Sequence, residues 1–437
     1  MAPLSILIVG CGVAGPTLAS FLLLSSQSGP EKPKITILER SAPRPRGQNI
    51  DIRGAGVTII RKLGLESAIR SATTGEEGTQ FVDANNRVWA AIEADKSGRV
   101  QTGTSDIEIL RGRLSELLYR RCRDVSHLVQ QEGGEGVEFI FGDALEELEQ
   151  DSQKVHVGFA NSGERRTFDL VVGADGLQSR TRRLAFGEQS DHQRVKRLGM
   201  YGGFFSMPKA TTDSEWRRWF HAPGRRGIMV RPSDVSDRST VFMNIVNEKD
   251  ERLREVATSG HRDAEKQKEL LREYFYDAGW ECRRIVKAME AADDFYYDMV
   301  AQVKMDTWST GRVVLLGDAG ARSYCASPIS GMGTTLALSG AYNLAGALTR
   351  HSGDHTAAFA EYEEKMKPVV ERAQKLVPGA PYIFAPETAW GIWVMHVILV
   401  ITHYSGLALL MAMRWGPPAN AVPVEEYGFE QLPDRSS

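Results

Sequence analysis

A glycine-rich turn near the amino terminus constrains the fold more than any other feature of this sequence. The run SILIVGCGVAGPTLASFLLLSS, residues 5–26, begins as a strand-length apolar stretch, breaks at glycines and continues with helical spacing. Gly10, Gly12 and Gly15 fit G-x-G-x-x-G, in which the glycines allow a tight turn, close approach of a pyrophosphate and packing of helix on strand. Because a helix N-terminus offers free N–H groups and partial positive charge, this segment is predicted to hold a phosphate group.

A second apolar run, KITILER, completes a βαβ unit and ends at Glu39 and Arg40. An acidic side chain at this point accepts hydrogen bonds from the ribose of an adenine nucleotide. The unit therefore predicts an α/β domain with a parallel sheet. The turn fits NAD, NADP and FAD equally, so other parts of the chain must distinguish them.

Composition and charge exclude several classes of protein. The chain has 437 residues, of which 42% are hydrophobic and 25% charged, which is enough for two or three domains or one elaborated core. With 53 Lys and Arg against 56 Asp and Glu, the net charge is −3. Binding to a nucleic-acid backbone needs a concentrated basic surface, so no nucleic-acid partner is predicted.

The cysteines and histidines predict neither a disulfide framework nor a metal site. The four cysteines have no C-x-x-C spacing, and His351 and His355 fall in a Gly- and Asp-containing turn without a third ligand nearby. No basic, apolar and small-residue cleavage pattern precedes the first strand. A reducing, cytoplasmic location is therefore predicted.

The pattern of apolar runs divides the chain between two interleaved domains and a tail. The stretches ILRGRLSELLYRRC, FDLVVGADG and GRVVLLGDAG continue the helices and buried strands of the nucleotide domain. Between them lie MYGGFFSM, GIMVRPS and TVFMNIV, strand candidates rich in aromatic and β-branched residues. We assign the nucleotide domain to residues 1–71, 105–182 and 294–375, the inserted domain to residues 72–104 and 183–293, and a helical tail to residues 376–437.

Three separated motifs together carry a family resemblance. The first is the glycine turn, the second is GADGLQSRTRR, and the third is GDAGARSYCASPISGMGTTLALSGA. The second resembles a D-G motif, and the third resembles a G-D motif followed by P-x-x-G-x-G. In this order they resemble the FAD-dependent monooxygenase family typified by para-hydroxybenzoate hydroxylase and the tetracycline-inactivating flavin monooxygenases. The resemblance implies a Rossmann-like FAD-binding domain of the para-hydroxybenzoate hydroxylase type, an inserted β-sheet substrate domain and a helical C-terminal tail.

The resemblance also implies roles for particular residues. Glu39 is expected to hold the adenosine ribose, Asp318 to hydrogen-bond the ribityl chain, and Gly331, Met332 and Gly333 to lie against the flavin ring. The complete set of residues implied to contact FAD is Gly10, Gly12, Ala14, Gly15, Glu39, Arg40, Arg111, Asp175, Asp318, Pro328, Gly331, Met332 and Gly333.

Substrate and catalytic candidates follow from the same resemblance. Alternate residues of a strand face one side, and Tyr201, Gly203 and Phe205 in MYGGFFSM are expected either to roof the substrate pocket or to belong to the ordinary core of the sheet. The family runs a strand past the flavin where this chain has GQNIDIRG. The candidate catalytic residues are Gln48, Arg53 and Tyr324.

The implied reaction is monooxygenation. NAD(P)H reduces FAD, O₂ reacts to give a flavin hydroperoxide, and oxygen passes to a small apolar substrate that is aromatic, polyketide-like or terpenoid and belongs to secondary metabolism. The family binds NAD(P)H transiently, and the sequence holds no second G-x-G-x-x-G for it. Because the cofactor supplies the difficult chemistry, the sequence need not contain an obligatory acid or base.

Two other functions stay open at this stage. A flavin-dependent halogenase shares the nucleotide domain, but its W-x-W-x-I-P signature is absent, since SEWRRWF has different spacing and no Ile-Pro. A non-redox cyclisation or binding protein that retains FAD is the other alternative, against which the intact second and third motifs argue.

The apolar tail leaves two interpretations open. The segment TAWGIWVMHVILVITHYSGLALLMAM, residues 388–413, contains no Asp, Glu, Lys or Arg. Its length would suffice for a membrane span, with tryptophans near its ends. His396 and His403 on one helical face instead favour a tail packed on the body or lying in a membrane surface. Cytoplasmic and membrane-associated locations both follow, and the oligomeric state is undetermined by the sequence.

Overall fold

In the computed structural model of this chain, the described residues are 3–27, 29–41, 47–95, 105–258, 263–320, 332–405 and 421–434. Over these residues the strands are β1 (Ser5–Val9), β2 (Lys34–Glu39), β3 (Asn49–Ile52), β4 (Gly78–Val82), β5 (Val88–Glu93), β6 (Ile107–Leu110), β7 (Val137–Phe141), β8 (Leu145–Gln150), β9 (Val155–Phe159), β10 (Arg165–Phe168), β11 (Leu170–Gly173), β12 (Val195–Pro208), β13 (Arg217–Ala222), β14 (Arg226–Pro232), β15 (Arg238–Val246), β16 (Tyr296–Val303), β17 (Ser309–Thr310) and β18 (Val313–Leu315). The helices are α1 (Ala14–Leu23), α2 (Ala55–Lys62), α3 (Glu66–Ser71), α4 (Arg111–Gln131), α5 (Arg180–Phe186), α6 (Asp191–Arg194), α7 (Glu251–Thr258), α8 (Ala264–Phe275), α9 (Cys282–Ala291), α10 (Gly333–Arg350), α11 (His355–Gln374) and α12 (Ala389–Tyr404).

The nucleotide unit is built on a six-stranded sheet in the order β17-β18-β11-β1-β2-β7, in which every pair is parallel except β17 with β18. Helices α1, α4 and α10 cover one face, and the small sheet β10-β9-β8 covers the other. Ile6, Leu7 and Ile8 of β1 are fully buried, because a central parallel strand is covered on both faces.

The second unit is a seven-stranded sheet in the order β16-β12-β15-β14-β13-β4-β5, antiparallel except between β13 and β4. One face packs against α7, α8 and α9 through a core that includes Leu253, Leu271 and Ile285. The opposite face carries residues that line the cavity described below. Between the units, β3 and β6 form a two-stranded ribbon.

The predicted α/β fold class, with an inserted β-sheet domain and a C-terminal helix, is confirmed. One boundary differs from the sequence prediction, which ended the inserted domain at residue 293. β16 (Tyr296–Val303) pairs along β12 and so belongs to the seven-stranded sheet. The alternation of YYDMVAQV fits an edge strand of either sheet, so the sequence alone does not decide which one it joins.

The described part of the tail consists of α12 and an extended carboxyl-terminal segment. α12 packs on the outer strands of the seven-stranded sheet, where Ile392 and His396 are buried. Residues 421–434 instead lie across the nucleotide unit, where Tyr427 packs against Tyr342 and Phe429 against Phe21. Among the helices that the structure describes, none combines the length and apolar character needed to cross a membrane.

Candidate active site

A cavity of about 760 Å³ lies where the nucleotide unit, the two-stranded ribbon and the seven-stranded sheet meet. Its walls include the glycine turn, the ends of β2 and β11, and residues of β12 to β15. Binding sites of α/β sheets lie beyond the carboxyl ends of the parallel strands, and this cavity is in that position. One part of the cavity is therefore in the position of a dinucleotide site, and the other part is lined by the seven-stranded sheet.

The three glycines of the first turn have different environments. A Cβ atom on Gly15 would lie 2.0 Å from Gly10 O, and one on Gly10 would lie 2.4 Å from Ala174 O. Gly10 also has φ of +116°, a conformation that favours glycine. A Cβ on Gly12 would meet no protein atom within 4 Å, and Gly12 lines the cavity. Gly10 and Gly15 thus serve close packing, whereas Gly12 leaves space for a ligand.

The acid at the end of β2 is held beside this turn. One carboxylate oxygen of Glu39 accepts a hydrogen bond from Cys11 N at 2.9 Å, and the other accepts one from Ser41 N at 3.1 Å. Glu39 and its neighbour Arg40 both line the cavity. An oriented carboxylate in this place can accept hydrogen bonds from the hydroxyl groups of a ribose.

The second motif is held by hydrogen bonds of its own. Asp175 accepts from Thr181 N and Thr181 Oγ1, both at 3.0 Å, and Ser179 caps α5 by accepting from Arg182 N at 2.9 Å. The fully buried guanidinium of Arg182 donates to Ala319 O at 2.8 Å. Arg182 therefore ties the second motif to the third, and Asp175 lines the cavity beside this joint.

The third motif forms the neighbouring wall. Asp318 lies in a short 3₁₀ turn after β18, Met332 is the N-cap of α10, and Gly333 is the first residue of that helix. All three residues line the cavity, and a Cβ on Gly317 would lie 3.6 Å from the Cβ of Ala14, so this wall adjoins the first turn. Three predicted residues of this motif fall outside the described part of the chain: Tyr324, Pro328 and Gly331.

Of the two candidate catalytic residues in GQNIDIRG, Gln48 lines the cavity and Arg53 does not. Gln48 and Arg111 line it, and Arg111 N donates to Gln48 O at 3.0 Å. Arg53 is fully buried behind the wall, where its N–H donates to Thr335 Oγ1 at 3.1 Å and its carbonyl accepts from that hydroxyl at 3.0 Å. Asp51, two residues earlier, is the acidic residue of β3 that lines the cavity.

These walls fit an FAD molecule. The space left at Gly12, next to the N-terminus of α1, suits a pyrophosphate, and Glu39 suits a ribose. Asp318 and the first residues of α10 offer a carboxylate and backbone N–H groups for the polyol and the ring. The cavity volume also lies within the range of about 300 to 1,000 Å³ that is usual for small-molecule sites.

The cavity face of the seven-stranded sheet carries side chains in register from strand to strand. Phe204 stacks on Phe242 with ring centroids 4.1 Å apart and on Tyr296 at 4.8 Å, while Trp219 stacks on Phe81 at 5.4 Å. Strand pairing places these residues in one line across all seven strands. We call this line the aromatic row; its members are Tyr296, Phe204, Phe242, Met229, Trp219, Phe81 and Ala90.

A buried group of charges lies beside the aromatic row. Arg217 and Arg231 stand two residues from Trp219 and Met229, and therefore on the same face, and both line the cavity. Glu76 accepts from both arginines at 2.7 Å, and Glu108 accepts from Arg231 at 3.1 Å. We call these residues the ionic cluster; its members are Asp51, Arg53, Glu76, Glu108, Arg217 and Arg231.

The sequence prediction named residues of the other face of β12 and left open whether they roof the pocket or belong to the ordinary core of the sheet. Tyr201 belongs to the core between the sheet and its helices, and a Cβ on Gly203 would lie 2.6 Å from Leu271 of α8. Phe205 belongs to the same core although it reaches the cavity lining. The candidate substrate contacts therefore move to Phe204 and the rest of the aromatic row.

Sequence reasoning missed the aromatic row and most of the ionic cluster. Phe204 was passed over because MYGGFFSM has large apolar residues on both of its faces. Arg217 and Arg231 carried a usable signal, since a charge within a strand that otherwise resembles core is buried only when it is paired.

Comparison with known proteins gives a consistent set of similarities. The sequence profile described as "FAD binding domain" matches residues 4–377. The chain is 34% identical over 435 residues to Monooxygenase CTB7 of Cercospora beticola, covering 98% of each chain. It is 35% identical over 408 residues to FAD-dependent monooxygenase asL6 of Sarocladium schorii, covering 91% of each.

Solved structures show the same similarity. The tetracycline destructase Tet(51) superimposes with a TM-score of 0.73 at 29% identity, covering 94% of this chain and 98% of that one. Klebsiella pneumoniae HpxO, crystallised with FAD and uric acid, gives a TM-score of 0.68 at 18% identity over 95% of this chain and 98% of that one, which is a likeness of fold.

Proposed function

Because the chain belongs to the FAD-binding domain family and is an FAD-dependent monooxygenase that uses NAD(P)H and O₂, we propose that its substrate is a flat, ring-containing small molecule of the aromatic or polyketide-like class. The observation that carries this proposal is the aromatic row, which presents stacked rings to the cavity. Because Phe204 stacks face to face with both of its neighbours, the row offers ring edges to the cavity. The face of a flat ring packs well on such edges, whereas a globular terpenoid skeleton would leave much of the row uncovered.

The proposed binding mode uses the two walls of the cavity. The substrate lies on the part of the aromatic row that lines the cavity, from Tyr296 to Trp219, and the opposite wall of β3 and α10 holds the cofactor. When bound, FAD supplies the redox chemistry, and the protein supplies orientation and exclusion of water. We assign cofactor contacts to the lining residues Gly12, Glu39, Arg40, Gln48, Arg111, Asp175, Asp318, Met332 and Gly333.

Oxygen labelling tests this proposal directly. Purified holoenzyme would be incubated with NADPH or NADH, ¹⁸O₂ and two sets of compounds, flat polycyclic phenols and saturated terpenoids of similar size. We expect labelled product and accelerated NAD(P)H oxidation with the flat compounds. Labelled product from the terpenoid set alone would refute the proposed substrate class, and product without label would refute oxygen transfer. The relatives described above are named monooxygenases, which supports oxygenation over halogenation.

The outer surface of α12 suggests where an apolar substrate is met. Ile392 and His396 face the sheet, whereas Trp390 is 73% and Ile401 59% exposed, and Trp393 is exposed beside them. The segment to which α12 belongs continues without a charged residue to residue 413. We propose that the exposed face of α12 lies in a lipid surface, since exposed tryptophans gather at the interface of a bilayer.

Vesicle flotation tests the membrane contact. The holoenzyme is expected to float with vesicles of phosphatidylcholine and phosphatidylglycerol, and the double variant Trp390→Ser, Trp393→Ser is expected to stay in the dense fraction with its FAD retained. A control variant at an exposed apolar residue of the nucleotide unit, Leu128→Ser on α4, should float like the wild type. If the wild type does not float but forms a dimer that the double variant loses, the face is an interface with a second copy instead.

A further inference from the structure

The ionic cluster is built as a recognition site rather than as an isolated core ion pair. Glu76 bridges Arg217 and Arg231, so two guanidinium groups that line the cavity meet at one buried carboxylate behind its wall. Replacing such buried pairs with apolar residues is often neutral or stabilising, so stability alone is a weak reason for the cluster. Because the cluster lies beside the aromatic row, Arg217 and Arg231 are within reach of a polar group on a substrate ring that packs against that row.

The charges of the cluster balance only when every carboxyl group is ionised. Three arginines face three carboxylates, and each of the carboxylates has an arginine partner: Asp51 with Arg53, Glu76 with Arg217 and Arg231, and Glu108 with Arg231. Loss of one negative charge would give the cluster a net charge of +1. A buried site with that charge attracts an anion strongly, because the low dielectric of the interior weakens screening.

Glu108 is the carboxyl group that can make this change. Burial, with the nearby charges of Glu76 and Asp51, raises the pKa of Glu108 to about 7, although Arg231 and the hydroxyl of Thr74 oppose the shift. In Asp51, by contrast, burial acts to raise the pKa, but Arg53, Arg217 and Arg231 hold it below its usual value. The charged groups facing Glu108 are therefore Arg231 from β14, Glu76 from the segment before β4, and Asp51 from β3.

Building on the proposed function, we propose that the ionic cluster recognises an acidic group of the substrate, a carboxylate or an ionised phenol or enol, and that Glu108 takes up one proton from solution when the anion binds. Arg217 and Arg231 hold the anion, and Glu108 acts as a positioning residue that adjusts the charge of the cluster. The only covalent bond formed is the O–H bond of Glu108, and its proton comes from the buffer acid, which is left as its conjugate base.

This coupling predicts how affinity depends on pH. If the anion binds only when Glu108 is neutral, affinity is constant below pH 7 and falls tenfold per unit above it. Binding at pH 8.5 should then be weaker than at pH 6 by a factor of about 30. An uncharged analogue should bind with the same affinity throughout.

The probes are 1-hydroxy-2-naphthoate, two fused rings with one carboxylate, and its methyl ester. Binding to the holoenzyme would be followed by the change in flavin absorbance without NAD(P)H. Calorimetry in two buffers of different ionisation enthalpy would measure the protons taken up. For the acid we expect uptake approaching one proton at pH 8 and none at pH 5.5, and for the ester none at either pH.

Variants separate the role of Glu108 from a structural one. Glu108→Gln keeps the neutral form at every pH, so it should bind the acid equally at pH 6 and pH 8.5, about 30-fold tighter than wild type at pH 8.5. Glu116→Gln, a glutamate of α4 paired with Arg113 and Arg120, is the matched control and should keep the wild-type slope. Arg217→Lys should weaken binding of the acid and leave binding of the ester unchanged.

Several outcomes would overturn the inference. They are pH-independent binding of the acid to wild type, absence of proton uptake in the calorimeter, or an unchanged pH slope in Glu108→Gln. The calorimetric measurement needs no variant, so it decides even if Glu108→Gln does not fold. Failure of the acid to bind at pH 6 in a holoenzyme that still oxygenates a flat neutral substrate would also reject acid recognition, while leaving the proposed function intact.

Discussion

The two main sheets of this protein form their halves of the cavity by different means. The parallel sheet contributes backbone turns, in which Gly12 leaves room for a ligand and α1 and α10 begin, together with side chains placed by those turns, such as Glu39 and Asp318. The seven-stranded sheet contributes side chains aligned by strand pairing, such as Phe204 between Phe242 and Tyr296. A site made of backbone depends on local chain conformation, whereas a site made of aligned side chains depends on register.

The first prediction tests the backbone half, where we expect the largest effect. A methyl group at Gly15 would lie 2.0 Å from Gly10 O, so Gly15→Ala should lower the free energy of unfolding by about 4 kcal/mol or more and lose FAD. At Gly12 a Cβ meets no protein atom within 4 Å, so Gly12→Val should keep the melting temperature of the FAD-free wild type while losing FAD. Thermal denaturation and flavin absorbance per protein distinguish the two. Full FAD occupancy in Gly12→Val would contradict the assignment.

The second prediction compares the two faces of β12. Phe204 lies toward the cavity and Tyr201 in the core beneath the helices. Tyr201→Ala should lower the free energy of unfolding by about 3–5 kcal/mol with little change in ligand affinity. Phe204→Ala should lose less stability, but should weaken binding of methyl 1-hydroxy-2-naphthoate by about tenfold. If Tyr201→Ala weakens ligand binding more than Phe204→Ala does, the aromatic row is not the substrate wall.

Sequence reasoning succeeded where function lies in consecutive residues. The family, the fold class and the use of FAD were predicted from three motifs, and each of these is confirmed by the family match and the related structures. Each motif is a strand end followed by a turn and a helix, so its geometry follows from a dozen neighbouring residues. The positions of Glu39, Asp175 and Asp318 could be predicted for that reason, while their roles as FAD contacts stay predictions.

The aromatic row and the ionic cluster could not be predicted in the same way. Their members come from segments as far apart as Asp51, Glu108 and Arg231, and only strand pairing brings them together. Both faces of β12 are apolar, so alternation alone gave no reason to prefer Phe204 over Tyr201. Register, which a single sequence encodes weakly, was the missing information.

The third prediction concerns the loss of folding stability at low pH, which we assign to a buried histidine of the seven-stranded sheet. His221 of β13 is buried against Trp219 and close to His396 of α12, and burial, with His396, lowers its pKa to about 3. Below the usual pKa of histidine the unfolded chain binds a proton that the folded chain does not. Stability is therefore lost as pH falls from about 6.5 toward 3.

His221→Phe should remove this loss while keeping the stacked ring. Between pH 6.5 and pH 5, we expect the wild type to lose about 2 kcal/mol more stability than the variant. Urea denaturation at the two pH values measures the difference. Equal losses in both proteins would show that another group controls acid stability, and His127→Phe, an exposed histidine of α4, is the control.

The last prediction returns to the nucleotide unit, at the surface away from its ligand. The hydroxyl of Tyr427 accepts from Lys365 at 2.9 Å and donates to Asn343 at 2.9 Å, which fastens the carboxyl-terminal segment to α10 and α11. Tyr427→Phe keeps the ring contact with Tyr342 and removes both hydrogen bonds, so the free energy of unfolding should fall by about 1 kcal/mol. If the unit holds FAD through local backbone geometry, this loss should leave FAD affinity and kcat unchanged. A decrease in FAD affinity would instead mean that the segment positions α10, and that the backbone half of the site also depends on distant side chains.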